Sequence, residues 1–331
     1  MLRKVRTLFF CVLFRMIGDA PVLYKCVIIV GYTLSSIGIM FVNKLILTAN
    51  KFPSPVFLAA AQMFVTFAIL FFLKLCGVTT IPRPSRSLIS KIIPFSCIYA
   101  IDVTMGLAGT GAISLPLFSA LRRISNFFIL FGERYFFGKR HTCLTHVALC
   151  TMVAGAFIAV SGDINFDLIG YGFIFINNVS TAAKGLLTKS RLSKHNFSST
   201  TLLFYNSIFM FPFMLMLTLM TGRVRNVIDY PLWSNVWFVA GFLFSCLAAV
   251  TLQFLTFECT RLTSALTTSV IGVMKNTVVS FGGMFVGGDY IFTIVNFCGV
   301  TISTIGAITY GISMYMSKLS TPTEITPEQK A

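Results

Sequence analysis

Thr267-Thr268-Ser269-Val270-Ile271-Gly272-Val273-Met274-Lys275-Asn276 lies inside an apolar run from Ala265 to Val286. As a helix, that run is long enough to cross a bilayer. At about 1.5 Å per residue Lys275 falls roughly 15 Å in, near the middle of the hydrocarbon, where a lysine costs about 2.5–3.5 kcal/mol. A charge held at that cost reads as part of a functional site. Gly272 and Asn276 stand four residues apart on the helical face beside Lys275, so the glycine leaves room for a bulky group next to a cation and an amide.

The rest of the chain agrees with a membrane setting. Its 331 residues are 56% hydrophobic, 14% aromatic and only 11% charged, with a mean hydropathy of +0.85, far too apolar for a water-soluble globule. The formal charge of +16 comes from 26 basic residues in short clusters at hydrophobic boundaries. That pattern specifies membrane topology and does not suggest nucleic-acid binding. The ten acidic residues form no D-x-D cluster that could hold a metal for an integral-membrane transferase, so neither a metal, a cofactor nor an enzymatic activity is expected. The nine cysteines are scattered, with Cys97, Cys150, Cys246 and Cys298 inside apolar segments and no C-x-x-C pair. They read as small buried hydrophobes.

Counting about 20 apolar residues per span predicts an all-α membrane protein of ten transmembrane helices, at 23–47, 54–76, 88–108, 113–137, 142–161, 167–189, 199–221, 232–257, 263–287 and 290–316. Lys74, Arg83, Arg86 and Lys91, then Arg134, Lys139 and Arg140, then Lys189, Arg191 and Lys194 mark alternate loops, whereas the opposite loops carry only Lys51, Arg223 and Arg225. Basic loops face the cytosol, which puts both termini there. Residues 1–22 and 317–331 are expected as cytosolic tails.

The chain also resembles itself. Shifting the fourth span by 150 residues matches Ser114 with Ser264, Ser119 with Ser269, Asn126 with Asn276, Phe131 with Phe281, Gly132 with Gly282 and Gly138 with Gly288, without a gap. A duplicated five-helix unit follows, with repeats at 23–161 and 162–316. Five is odd, so the second copy is inverted, the architecture of alternating-access transporters. Ser119, Arg122 and Asn126 stand at i, i+3 and i+7, and Ser269, Gly272 and Asn276 repeat that stripe. The two stripes are expected to face each other.

Arg122 and Arg123 also lie midway through their span. They join Lys275, and possible company in Lys184, against few intramembrane acids: Asp102, with Glu133 and Glu258 near helix ends. Glu258 can pair with Arg261 at i+3. About two positive charges are left over, and a buried surplus of that size calls for a mobile anion. The competing reading is that Asp102 pairs an arginine and the other cations snorkel to the interface.

Phe204-Tyr205-Asn206-Ser207 offers an aromatic face beside an amide donor and acceptor, which suits a nucleobase edge, or equally an interhelical hydrogen bond. Followed some 65 residues later by Gly272-Val273-Met274-Lys275-Asn276, it resembles the paired motifs of nucleotide-sugar transporters in the drug/metabolite transporter superfamily. Gly106-Leu107-Ala108-Gly109-Thr110, Leu115-Pro116-Leu117-Phe118 with Leu121-Arg122-Arg123, and Gly287-Gly288-Asp289-Tyr290-Ile291-Phe292 look like the branch that carries UDP-glucuronic acid, UDP-N-acetylglucosamine and UDP-N-acetylgalactosamine. GDP-mannose transporters read Phe-Tyr-Asn-Asn and Gly-Ala-Leu-Asn-Lys; here Ser207 replaces the second Asn, and Lys and Asn are exchanged in order. The resemblance implies that Tyr205, Asn206 and Ser207 line a base pocket while Gly272, Lys275 and Asn276 approach phosphates and sugar. It implies an antiporter of the Golgi or endoplasmic reticulum membrane exchanging UDP-sugar for UMP, with membrane lipid as its surroundings and no nucleic-acid partner. Monomer and homodimer stay open, as do a sugar-phosphate exchanger of the same fold and a GDP-sugar transporter.

Overall fold

The computed structural model describes residues 21–112, 121–161, 168–194, 197–222, 224–273 and 294–320. Ser119, Lys275 and Asn276 lie outside them. Every regular element among the described residues is helical: α1 (Pro21–Lys44, continued by a π-turn at Leu45–Ala49), α2 (Pro55–Leu75), α3 (Arg86–Ala112), α4 (Ser125–Phe137), α5 (Cys143–Val160), α6 (Leu168–Ser193), α7 (Ser199–Met220), the short α8 (Val224–Ile228), α9 (Val236–Leu262), α10 (residues 265–273) and α11 (Ile294–Ser320). Among them, α1, α2, α3, α7 and α9 contain stretches long and apolar enough to cross a membrane, and α5 and α11 carry shorter apolar stretches.

Helix starts follow local chemistry. Ser54 accepts from the amide of Phe57 ahead of α2, with Pro55 as first helical residue, and Ser198 accepts from the amide of Thr201 ahead of α7. Both satisfy donors that a helix N-terminus leaves orphaned, and proline there loses nothing. α9 begins at Val236, four residues later than expected. Pro231–Ser234 forms a 3₁₀ turn, and Asn235 then caps α9 by accepting from the Trp237 amide at 2.9 Å. α9 ends at Leu262, and Ser264 caps α10 through the Thr267 amide at 3.1 Å. At this break the Lys189 ammonium donates to the carbonyls of Thr260, Arg261 and Thr263 at 3.1, 2.8 and 2.8 Å, groups that the end of a helix leaves without amide partners.

The chain divides into two compact units, one drawn from Met1–Ala100 and Leu187–Thr268, the other from Ile101–Leu186 and Ser269–Ala331. In the first unit α2 packs on α7 and α9 on α1. Phe52 sits among Phe57, Tyr230, Trp233, Phe238 and Phe242. A second apolar cluster holds Phe95, Leu202, Leu203, Phe204, Tyr205 and Phe257. Gln62, Asn43 and Ser245 hydrogen-bond to one another, with Ser245 Oγ 2.6 Å from Asn43 Oδ1.

In the second unit α5 packs on α11 through two glycines. A Cβ on Gly155 would fall 2.6 Å from the Gly299 carbonyl oxygen and 2.5 Å from the Ser303 nitrogen; one on Gly306 would fall 2.7 Å from both the Ala148 carbonyl oxygen and the Met152 nitrogen. Only glycine lets the two backbones approach so closely. The contacts are reciprocal: adding 151 to Ala148, Met152 and Gly155 gives Gly299, Ser303 and Gly306.

The cysteines depart from expectation. Cys246 and Cys259 are buried, but Cys97, Cys150 and Cys298 are exposed on the protein surface. Hydropathy reports an apolar environment, and the outside of a membrane helix is as apolar as its core.

Candidate functional site

In the first unit the motif Phe204-Tyr205-Asn206-Ser207 forms the second turn of α7, and all four side chains are buried. Tyr205 donates its hydroxyl to the Pro82 carbonyl at 2.8 Å, and Ser207 donates to the Phe204 carbonyl at 2.7 Å. Asn206 is 0% exposed and accepts at Oδ1 from Ser96 of α3 at 3.1 Å. Its Nδ2 has no hydrogen-bond partner among the described residues. The motif thus holds one open group, an amide donor. A buried donor without an acceptor costs about 1–3 kcal/mol.

The second unit repeats that arrangement. Asn126 of α4, also 0% exposed, accepts at Oδ1 from Ser269 of α10 at 2.6 Å, while its Nδ2 is unpartnered among the described residues. This is one contact between the two polar stripes. Gly272, one turn further along α10, is half-buried.

The arginines do not share that face as the i, i+3, i+7 spacing predicts. Arg122–Ile124 winds as a 3₁₀ turn between Leu121 and α4. A 3₁₀ turn advances about 120° per residue against 100° in an α-helix, so three residues add roughly 60° of rotation. Arg123 is consequently 3% exposed, with Nη1 lacking a hydrogen-bond partner among the described residues, while Arg122 is exposed. The turn is seated on α6: Leu121 and Ile124 pack against Ile174 and Tyr171, and Asn178 Nδ2 donates to the Leu121 carbonyl at 3.0 Å.

Charge is paired more locally than the sequence foretells. Asp102, 5% exposed, takes Lys184 as its partner rather than an arginine. Thr181 also donates to its carboxylate, and Asn177 Nδ2 reaches its carbonyl oxygen at 2.7 Å and Oδ1 at 3.2 Å. Lys184 is thereby accounted for. Glu258 pairs with Arg261 at 2.5 and 2.8 Å, as the i+3 spacing foretells, and also takes the Ser199 hydroxyl at 2.8 Å. Glu133 pairs with Lys139 at 3.2 Å and has His141 at 3.5 Å.

Sequence reasoning overlooked Ser96, Asn177, Asn178 and Thr181. For Asn177 and Thr181 the signal was present in α6, where they fall with Lys184 at i, i+4 and i+7 and converge on one carboxylate.

Asn206 and Asp102 are buried polar groups inside α7 and α3, two of the helices long and apolar enough to cross a membrane, which marks a multi-pass α-helical membrane protein with polar groups held in its interior. Residues 24–311 match the Triose-phosphate Transporter family. The chain belongs to that family, in its nucleotide-sugar transporter group. It is 37% identical to the UDP-sugar transporter sqv-7 of Caenorhabditis elegans over 92% of this chain and 93% of the relative. It is 36% identical to nucleotide sugar transporter SLC35D2 of Mus musculus, over 87% of this chain and 88% of the relative. The human SLC35D2 is 35% identical over 87% and 86%. One solved crystal structure superposes with a TM-score of 0.56 over 85% of this chain and 98% of the other, at 12% identity, which speaks to the fold alone.

Proposed function

We propose that this protein is an antiporter that moves UDP-sugars, namely UDP-N-acetylglucosamine, UDP-glucuronic acid or UDP-N-acetylgalactosamine, from cytosol into the Golgi or endoplasmic reticulum lumen in exchange for UMP. The observation that carries this reading is the open side of the buried amides. Asn206 in one unit and Asn126 in the other each engage their oxygen with a serine and leave two N–H donors for an acceptor-rich ligand. The names of the relatives, a UDP-sugar transporter and nucleotide sugar transporters, supply the ligand class. Asn206, beside Tyr205 and Ser207, reads the uracil edge. Arg122, Arg123 and Lys275 take the phosphates, and Ser119, Asn126, Ser269, Gly272 and Asn276 line the path of phosphates and sugar. The UDP-N-acetylhexosamines and UMP each carry about two negative charges, so their exchange is nearly electroneutral, whereas UDP-glucuronic acid carries one more.

The working architecture is ten spans in two inverted repeats, 23–161 and 162–316, with both termini cytosolic, operating by alternating access. The reciprocal glycine contacts support the duplication, since related backbones related by a two-fold exchange make every off-axis contact twice. Their spacing of 151, against 150 between Asn126 and Asn276, implies one extra residue within the second copy.

The test is purified protein in liposomes preloaded with UMP and challenged with UDP-, GDP- and CMP-sugars and with a triose phosphate. UDP-sugars should enter fastest. Preferential uptake of GDP-mannose or of the triose phosphate would replace this reading by one of those two.

A further inference from the structure

The turn that carries Arg122 and Arg123 is held from outside its own helix, and this points to a residue with a role in recognition that touches no ligand. A 3₁₀ stretch within a helix has poorer hydrogen-bond geometry than the α winding it interrupts and persists only where neighbours support it. Here the support comes from one face of α6. Tyr171, Ile174 and Asn178 stand at i, i+3 and i+7, the first two packed on Leu121 and Ile124, the third donating to the Leu121 carbonyl at 3.0 Å. A carbonyl can only accept, so the Asn178 amide is fixed with its nitrogen toward the turn. Ser125 Oγ adds a second clasp on the Arg122 carbonyl at 2.7 Å. In an unbroken α-helix the Leu121 carbonyl would instead take the Ser125 amide; that amide bonds to the carbonyls of Arg122 and Arg123.

The winding decides where the guanidinium groups point. Reverting to α geometry removes roughly 60° of rotation across the three residues, which would swing Arg122 relative to Asn126 and re-aim both arginines. Asn177, the neighbour of Asn178, meanwhile ties α6 to the Asp102 carbonyl and carboxylate at 2.7 and 3.2 Å. One turn of α6 therefore anchors both the arginine turn and the acid whose partner is Lys184.

We propose that Asn178 is a positioning residue for anion recognition: by holding the Leu121 carbonyl it keeps the Arg122–Ile124 turn in 3₁₀ winding and so aims the arginines at the ligand's phosphates. The proposal rests on the reading that these arginines bind phosphate. It is distinct from a packing role, which would weaken every ligand alike.

The experiment measures half-inhibition of exchange by UMP and by uridine in proteoliposomes of wild type and of three variants. Asn178→Leu fills the space without a donor, Asn178→Ser keeps a shorter donor, and Asn178→His keeps an N–H close to the original position. Thermal stability is followed in parallel. The expected result is that Asn178→Leu weakens UMP roughly ten- to hundredfold and leaves uridine unchanged, that Asn178→His restores most of the loss, and that Asn178→Ser falls between. Should Asn178→Leu not fold, the Ser and His variants still carry the comparison. Equal weakening of UMP and uridine in Asn178→Ser, or full UMP affinity in it, overturns the positioning role. If wild type binds uridine as tightly as UMP, the phosphate reading falls first, and the proposal with it.

Discussion

Five aromatic rings surround Phe52 in the first unit, and Tyr230 and Trp233 among them also donate to the carbonyls of Asn50 and of Val227 in α8. The second unit has no such cluster among its described residues. It is joined by hydrogen bonds to Asp102, by the Asn178 and Asn126 contacts and by the backbone meeting at Gly155 and Gly306. The difference follows from what each group of residues can tolerate. Aromatic packing is non-directional and survives small shifts, whereas a buried carboxylate and its three donors hold only in one geometry. The buried amide of the first unit, Asn206, is embedded in apolar packing. The buried cation of the second, Arg123, lies on a turn held by hydrogen bonds from Asn178 and Ser125 and by packing on Ile174 and Tyr171. On the proposed function, Asn206 would read a neutral base and Arg123 would take a charged phosphate.

The contrast can be broken by mutation, and the largest effect is expected in the first unit. Phe52→Ala should lower stability by about 3–5 kcal/mol, measured as a fall in melting temperature in detergent that is the same at low and high salt. A loss confined to low salt would mean that the cluster is not held by packing. Next comes the ion pair. Asp102→Asn should cost about 3 kcal/mol, the low end for a broken buried pair because Lys184 keeps its side chain 24% exposed. Adding Lys184→Met should recover most of it, since an absent pair is better than half of one; a double variant no better than the single one would show that Asp102 acts through Asn177 and Thr181 alone. The smallest effect sharpens the functional half of the comparison. Asn206→Ala should weaken UMP by about 1–3 kcal/mol, roughly ten- to hundredfold, and lower GMP far less, collapsing the preference for uracil. Equal losses for both nucleotides in exchange assays would remove base reading from α7.

Helices α1, α2, α3, α7 and α9 were legible because a bilayer demands about 20 apolar residues per crossing, and that demand is visible in composition alone. The Glu258–Arg261 pair was legible for a similar reason, as its spacing is fixed by the helix itself. Asn126 and Ser269 were both read as members of the polar stripes, and they are in contact. What escaped was whatever depends on the winding of a few residues or on which side of a helix faces lipid. Nothing in Leu121-Arg122-Arg123-Ile124 announces 3₁₀ geometry, because the support comes from Tyr171, Ile174 and Asn178 some 50 residues on. The burial of Arg123 and the exposure of Arg122 reverse with that winding. Exposed cysteines escaped because lipid and core are equally apolar. Asp102 was seen as an acid in want of a cation, but its choice of Lys184 over an arginine is a matter of three-dimensional neighbours.

The ammonium of Lys189 rests against three carbonyls where α9 ends. Unwound carbonyls at such helix ends are the usual seats of a sodium ion in secondary transporters. Here the seat is filled by a charge on a covalent tether, which cannot dissociate into either compartment. A cation that never leaves carries no free energy from one side to the other. This helix end is thereby withdrawn from the places where a dissociable cation could bind.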